Sequence, residues 1–392
     1  MDLFKLSKSI SNELVLHRRT VHAYAETGFD TPKTLGYIDS VLRQNGIVPR
    51  PCGGGLIADI DGKQNAKIIL RADCDALPIP EKSGLPFSAD NGCGHLCGHD
   101  MHTAMLLGAA SLMSKHRDRL ARGIRLVFQP AEEILSGAKR MIECGATDGI
   151  SAAYGIHVLP AVPFECGTVI LPPAGAVAPH AEFFRISVRG RESHGAAPHR
   201  GRDALLCGAH ILCALEALIS RESDPQTPSC LTVGSMRAGN AANTISGVCV
   251  MEGSLRSFDK EHTKYLSRRV NETAEHTAKA MGCEAEVQTI SACPALVNDA
   301  ALLSNAASVF KRRLPLVVDA SKGKDEKSIG GSEDFAYFSE KLPSLFFSIS
   351  AGDTDFCHRS LHHPEVRFNE ECLAHGCAAF CALAFDECVG KD

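Results

Sequence analysis

The sequence contains no tryptophan and only 5 tyrosines, and aromatic residues make up 6% of it. Nothing therefore signals an aromatic-rich pocket. It also lacks any run of Lys and Arg and any basic stripe interleaved with aromatics, and its formal net charge is −5. These absences argue against nucleic acid as a partner and leave small molecules. No stretch approaches the roughly 18 consecutive apolar residues that a membrane span requires, so no membrane partner is expected. The N-terminal stretch MDLFKLSKSISNELVLHRRT alternates polar and apolar residues at helical spacing, without an apolar h-region or a small-residue cleavage site. A cytoplasmic location is the expectation. Internal repeats and low-complexity segments are missing as well.

What is present fits a soluble chain with ample core. Hydrophobic residues make up 44% and charged residues 22% of 392, a length that a single hydrophobic core seldom organises, so two domains are expected. The 17 cysteines are odd in number and sit mostly in apolar contexts such as GCAAFCALAF, which reads as buried free thiols rather than a disulfide framework. In the first half, strand-like AKIILRADCDAL, GIRLVFQPAEE and SAAYGIHVLP alternate with helix-like HTAMLLGAASLMSKH and GAKRMIECGA. That rhythm predicts βαβ units in a mainly parallel sheet flanked by helices. From about Pro179 two long amphipathic helices occur among longer alternating strands, which predicts a smaller α+β unit with an antiparallel sheet. After Cys293 and Pro294 the first rhythm resumes, past a Gly-rich loop at Gly330 and Gly331. The expected domains are therefore 1–178 with 294–392, and an insertion, 179–293.

Ligands of such sheets gather beyond the carboxyl ends of the strands, and each strand here ends in chemically capable residues: Asp73 and Asp75, Glu132 and Glu133, His157. The segment CGHLCGHDMHTAMLLGAA, Cys93 to Ala110, adds two cysteines and three histidines before an apolar helix. Cys97 and His99 form a compact donor pair, which alone fits a buried thiol beside an imidazole as well as a metal site. The other donor clusters, including LHHP, shift the weight toward metal. Asp73 and Asp75, two apart on a strand, project from one face, and either or both could hold a ligand or be one. Glu132 and Glu133, adjacent on an extended segment, face opposite ways and can divide metal binding from proton transfer.

Taken together, RADCDALPIPE, CGHDMHTAMLLGAA, QPAEE, GIHVLP, SHGAAPHRGRDAL, NTISG, GSLRSF, SEDFAYF and LHHPEVRFNEECL resemble the dinuclear-metal amidohydrolases and metallopeptidases. That family includes hippurate hydrolase, N-acyl-amino-acid deacylases, auxin-conjugate hydrolases and p-aminobenzoyl-glutamate hydrolase. The resemblance runs from about Val21 to Leu373. It implies a phosphorylase/hydrolase-like catalytic domain with an inserted lid that also forms a homodimer. It places Cys97, His99, Glu133, His157 and His362 on metal-ligand positions for two divalent ions, Zn or Mn first and Co or Ni next, with Cys97 bridging. Glu132 falls on the general base, Asp75 on a position that orients a ligand or the base, and His194 on the lid histidine that donates to the oxyanion. Asn243 and Arg256 fall on positions that bind the substrate carboxylate. Asp100 and His102 do not fall on ligands, and His363 is a second possibility beside His362.

The implied activity is metal-dependent hydrolysis of an N-acyl or aminoacyl amino acid; p-aminobenzoyl-glutamate and dipeptides are alternative substrates. A non-catalytic metal-binding regulator would have no use for Glu132, and a Cys97 thiol amidase would lack a residue to orient His99. The sequence departs from the family at Ala25, before Glu26 in HAYAETGF, at Ser246 in NTISG and at Leu96 beside Cys97. No chemical group is lost thereby.

Overall fold

The computed structural model describes residues 1–320, 331–352 and 359–386; Gly330 lies outside them. The chain divides into two compact units, one comprising Met1–Gly175, Val297–Lys324 and Asp334–Asp392, the other Ala176–Leu296 with Asp325–Glu333.

The first unit is built on an eight-stranded sheet in the order Pro49–Cys52, Gly55–Ile60, Arg122–Gln129, Gln64–Asp73, Ile150–Leu159, Ser344–Ser350, Val169–Leu171, Val317–Asp319. Its four central strands, from Arg122–Gln129 to Ser344–Ser350, are parallel to one another. Gly55–Ile60 and Val169–Leu171 join them antiparallel. Central parallel strands are covered on both faces and so carry continuous apolar runs. Ile68, Ile69 and Leu70 accordingly are all buried. The helix His99–Lys115 is buried from His99 through Met113, and together with Cys372–Phe385 it contributes much of the core.

This sheet differs from the sequence reading at two strand ends, and both differences matter for the site. The QPAEE segment is not extended to its end: the strand stops at Gln129, because Pro130 cannot donate to the ladder and Ala131 takes a left-handed φ of 60°. The strand with Asp73 likewise stops there, so Asp75 lies beyond it rather than on its face.

The second unit has a four-stranded antiparallel sheet in the order Ser229–Ala238, Val248–Ser257, His180–Arg189, Glu284–Cys293. Two helices, Ala204–Ala217 and Lys260–Ala280, share its core. The longer one buries Leu266, Val270, Ala274 and Ala278, four residues apart along one stripe, and the Asp259 carboxylate caps its first turn. The 19 residues Ala204–Glu222 are by length and composition apolar enough to cross a membrane. His210 and Glu216 nevertheless interrupt the apolar run. Their inner face, Cys207, Ile211, Leu215 and Leu218, lies in the unit's core, whereas Leu205 and Leu206 are exposed. All 15 described cysteines are free.

Candidate functional site

At the carboxyl edge of the first unit's sheet, Gly98 sets the position of the donors. Its φ is 89°, and a Cβ there would lie 2.3 Å from Val158 Cγ2, so only glycine lets the helix start this close to the Ile150–Leu159 strand. Cys97 then precedes the helix and His99 opens it. The Cys97 Sγ lies 3.4 Å from His157 Nε2, and the His157 Nδ1–H donates to the Val158 carbonyl at 2.8 Å. The backbone N–H of His362 donates to the Leu96 carbonyl at 2.9 Å, bringing a distant loop onto the same spot. His362 pays for this with a left-handed φ of 67°, a strain that non-glycine residues hold only where their surroundings over-determine them. Its Nε2 lies 3.6 Å from Glu133 Oε2, whereas the His363 Nδ1 accepts the Glu365 N–H.

Asp75 organises the opposite side. Its carbonyl accepts the Nδ1–H of His99 at 2.9 Å, and its two carboxylate oxygens accept the backbone N–H groups of Glu132 at 3.1 Å and Glu133 at 3.3 Å. These two glutamates lie in a tight turn closed by Leu135 N–H to Glu132 O at 2.7 Å. Their separate orientations come from that turn, not from strand alternation. His99 Nε2 is 3.9 Å from both Glu132 Oε2 and Glu133 Oε1. Buried and without a hydrogen-bond partner, His99 Nε2 and Glu133 Oε1 are orphans. Leaving such atoms unmatched costs on the order of 1–3 kcal/mol each.

The donor atoms of Cys97, His99 and His157, of Cys97, Glu133 and His362, and of His99, Glu132 and Glu133 each lie within 4.8 Å of one another. Imidazole, thiolate and carboxylate atoms converging in this way fit divalent metal, and Cys97 is common to two of the groups. Asp73, His99 and His102 form a further group, but the His102 ring is already committed. Its Nδ1–H donates to Asp73 at 2.6 Å and its Nε2 accepts the Val158 N–H at 2.9 Å, so no lone pair remains for a metal.

The electrostatics follow from burial. Desolvation brings His157 down to about 3, keeping its imidazole neutral, and pushes the Cys97 thiol up. Glu133 is raised, first by burial and against the pull of His99 and His362. Burial works against charge on His99, yet the Asp73 carboxylate and Cys97 outweigh it and hold the ring well above its ordinary value. Protons on these groups must leave when a cation enters.

Beneath the site lies a set of residues whose roles the sequence did not disclose. Arg71, fully buried, donates to Asp73 at 2.7 Å, to Asp334 at 2.9 Å and to Gln129 at 2.9 Å. Asp334 also accepts the Ala138 N–H at 2.9 Å, and its own N–H points at Glu132 Oε1 at 3.4 Å. The available signal was a lone arginine in the apolar run IILRAD.

The remaining candidates belong to the second unit. His194 pairs with Thr244 in a two-stranded ladder, and the neighbouring Gly195 N–H donates to the Asn243 carbonyl at 2.7 Å. His194 Nδ1 accepts the Ala196 N–H at 3.1 Å, which leaves the ring's proton on Nε2. Arg256 donates to Ser332 at 3.0 Å, and its guanidinium lies 5.8 Å from the Phe183 ring centre.

Comparison with known proteins follows the same lines. The profile described as Peptidase family M20/M25/M40 matches residues 69–386. N-acetyl-L-cysteine deacetylase of Bacillus subtilis is 36% identical over 370 residues, 93% of this chain and 86% of that protein. IAA-amino acid hydrolase ILR1-like 2 of Arabidopsis thaliana is 34% identical, over 97% of this chain and 86% of its own. Among solved structures, a dinuclear metal binding peptidase from the M20 family of Bacillus subtilis superimposes with a TM-score of 0.80 at 30% identity, covering 96% of this chain and 98% of that one.

Proposed function

Because the chain belongs to Peptidase family M20/M25/M40, we propose that it hydrolyses the amide bond of an N-acyl or aminoacyl amino acid bearing a free carboxylate, releasing the amino acid and a carboxylic acid. The observation that carries this reading is the meeting of two donor triads at Cys97 with Glu132 beside them. Cys97, His99, Glu133, His157 and His362 would hold two divalent ions, Zn or Mn by donor chemistry. Such ions supply Lewis acidity, lowering the pKa of water and polarising an amide carbonyl.

The protein's own groups do the rest. Glu132 takes the proton from water and returns it to the leaving amine, a transfer worth roughly 10²–10⁴-fold. Asp75 positions both glutamates through their backbone N–H groups. His194 donates its Nε2–H to the developing oxyanion, a role supported by the occupied Nδ1. Asn243 and the Arg256 guanidinium fork receive the substrate carboxylate. The second unit acts as lid and as the homodimer contact, which the exposed Leu205 and Leu206 support.

The test is amide hydrolysis across N-acetyl, N-benzoyl, p-aminobenzoyl-glutamate and indoleacetyl conjugates, before and after chelation and with Zn²⁺ or Mn²⁺ restored. Loss on chelation and recovery with metal is expected for at least one conjugate. Hydrolysis that survives chelation, or none at all, contradicts the proposal.

A further inference from the structure

The family profile begins at residue 69, yet a short segment far upstream reaches both sides of the candidate metal centre. We propose that Arg18, His22 and Glu26 are positioning residues for that centre, acting on His99 through Asp100 and on Asp75 through Ala76. The inference rests on the metal-binding reading above.

Arg18 and His22 stand four apart on the helix Ser11–Tyr24 and so share a face; both are buried. Arg18 Nε donates to Asp100 Oδ2 at 3.1 Å, and His22 Nδ1 donates to the same oxygen at 2.8 Å. The opposite ring nitrogen, His22 Nε2, donates to Glu81 at 2.8 Å. Arg18 Nη1 also reaches the Phe368 carbonyl and the Glu370 carboxylate, each at 3.1 Å. With a carboxylate at each nitrogen, His22 is held as the cation: burial opposes its charge, but Asp100 and Glu81 prevail and raise it to about 9.

Asp100 immediately follows His99 in the first turn of its helix and is fully buried. A single acid at a helix N-terminus is already favoured by the helix dipole. Two cations focused on one of its oxygens exceed that requirement, and what they add is a fixed direction for the turn that carries His99.

The second arm leaves from the end of the same helix. Ala25 takes a left-handed φ of 38°, and beyond it the Glu26 carbonyl accepts the Ala76 N–H at 2.7 Å. The Glu26 carboxylate is pinned by the N–H groups of Lys33 at 3.1 Å and Thr34 at 2.9 Å. Ala76 is the neighbour of Asp75, whose carbonyl orients His99 and whose carboxylate holds Glu132 and Glu133. The segment from His22 to Glu26 thus grips the residue after one ligand and the residue after the hub of the base turn.

The experiment measures the Zn²⁺ affinity of metal-free full-length protein by chelator competition, a readout independent of turnover. Groups that orient metal ligands typically contribute 10–100-fold in affinity, and His22→Ala is expected to weaken binding in that range. His22→Gln, which keeps an N–H donor among these carboxylates but no charge, should recover part of the loss. Arg19→Ala, on the exposed side of the same helix and paired with Glu370, should leave affinity within twofold of wild type. Folded His22→Ala with wild-type affinity overturns the inference, as does an equal loss in Arg19→Ala. Should His22→Ala fail to fold, His22→Gln and Arg18→Lys decide by the same measure. A wild-type protein that binds no Zn²⁺ refutes the functional reading itself, whereas wild-type binding unaffected by these variants refutes this inference alone.

Discussion

His99 and His102 sit one helical turn apart, both buried in the same unit, and only one has a nitrogen to spare. The His102 ring is closed between Asp73 and the Val158 N–H, while His99 Nε2, 3.7 Å from the Asp73 carboxylate and 3.9 Å from those of Glu132 and Glu133, has no hydrogen-bond partner. The candidates of the second unit differ again, since His194 and Asn243 are exposed and their polar atoms bear no cost of burial. A buried orphan atom that converges with other donors marks a place a cation can fill, because the protein otherwise bears its desolvation. An exposed histidine declares nothing.

Four substitutions sharpen or break this contrast. The largest effect is expected for Glu132→Ala, with kcat reduced by up to about 10⁴-fold and by no less than about 10²-fold and metal content, read by elemental analysis, unchanged. Retained turnover would remove Glu132 as the base. His194→Ala should reduce kcat by roughly two to three decades with metal content intact; an unaltered kcat would assign His194 to structure alone. Next is a pH effect at His22, whose pKa rises from 6.5 to about 9 on folding. A raised value means stability fully present below pH 6.5 and lost as pH climbs through about 9, on the order of 3 kcal/mol. The Tm gap between wild type and His22→Gln, recorded from pH 6 to 9.5, should therefore narrow with rising pH, and a constant or widening gap speaks against a buried cation. The smallest effect is His102→Ala, about 1–3 kcal/mol of stability from the unpaired Asp73 oxygen and Val158 N–H. Zinc affinity should change far less than in His99→Ala, and equal losses in the two would erase the distinction between the rings.

Much of the fold is legible in the sequence. The alternation of apolar strands and helices announced the mainly parallel sheet, because its periodicity is local, and the later change in texture announced the antiparallel one. The donor types at the strand ends were likewise plain. What the sequence could not convey was direction. The Glu132–Glu133 pair reads as strand until Pro130 and the left-handed Ala131 are weighed together, and Asp75 shows its use only when the backbone N–H groups of residues 57 and 58 positions away arrive at its carboxylate. Arg71 and Arg18 were equally silent, since their partners Asp334 and Asp100 are distant in sequence. Long-range pairing of this kind leaves no periodic trace.

The most direct test of the central claim is anomalous diffraction from crystals grown with Zn²⁺. Two ions are predicted, both ligated among Cys97, His99, Glu133, His157 and His362, with the Cys97 sulfur shared. A single ion, or ions bound elsewhere with these five side chains vacant, would contradict the account.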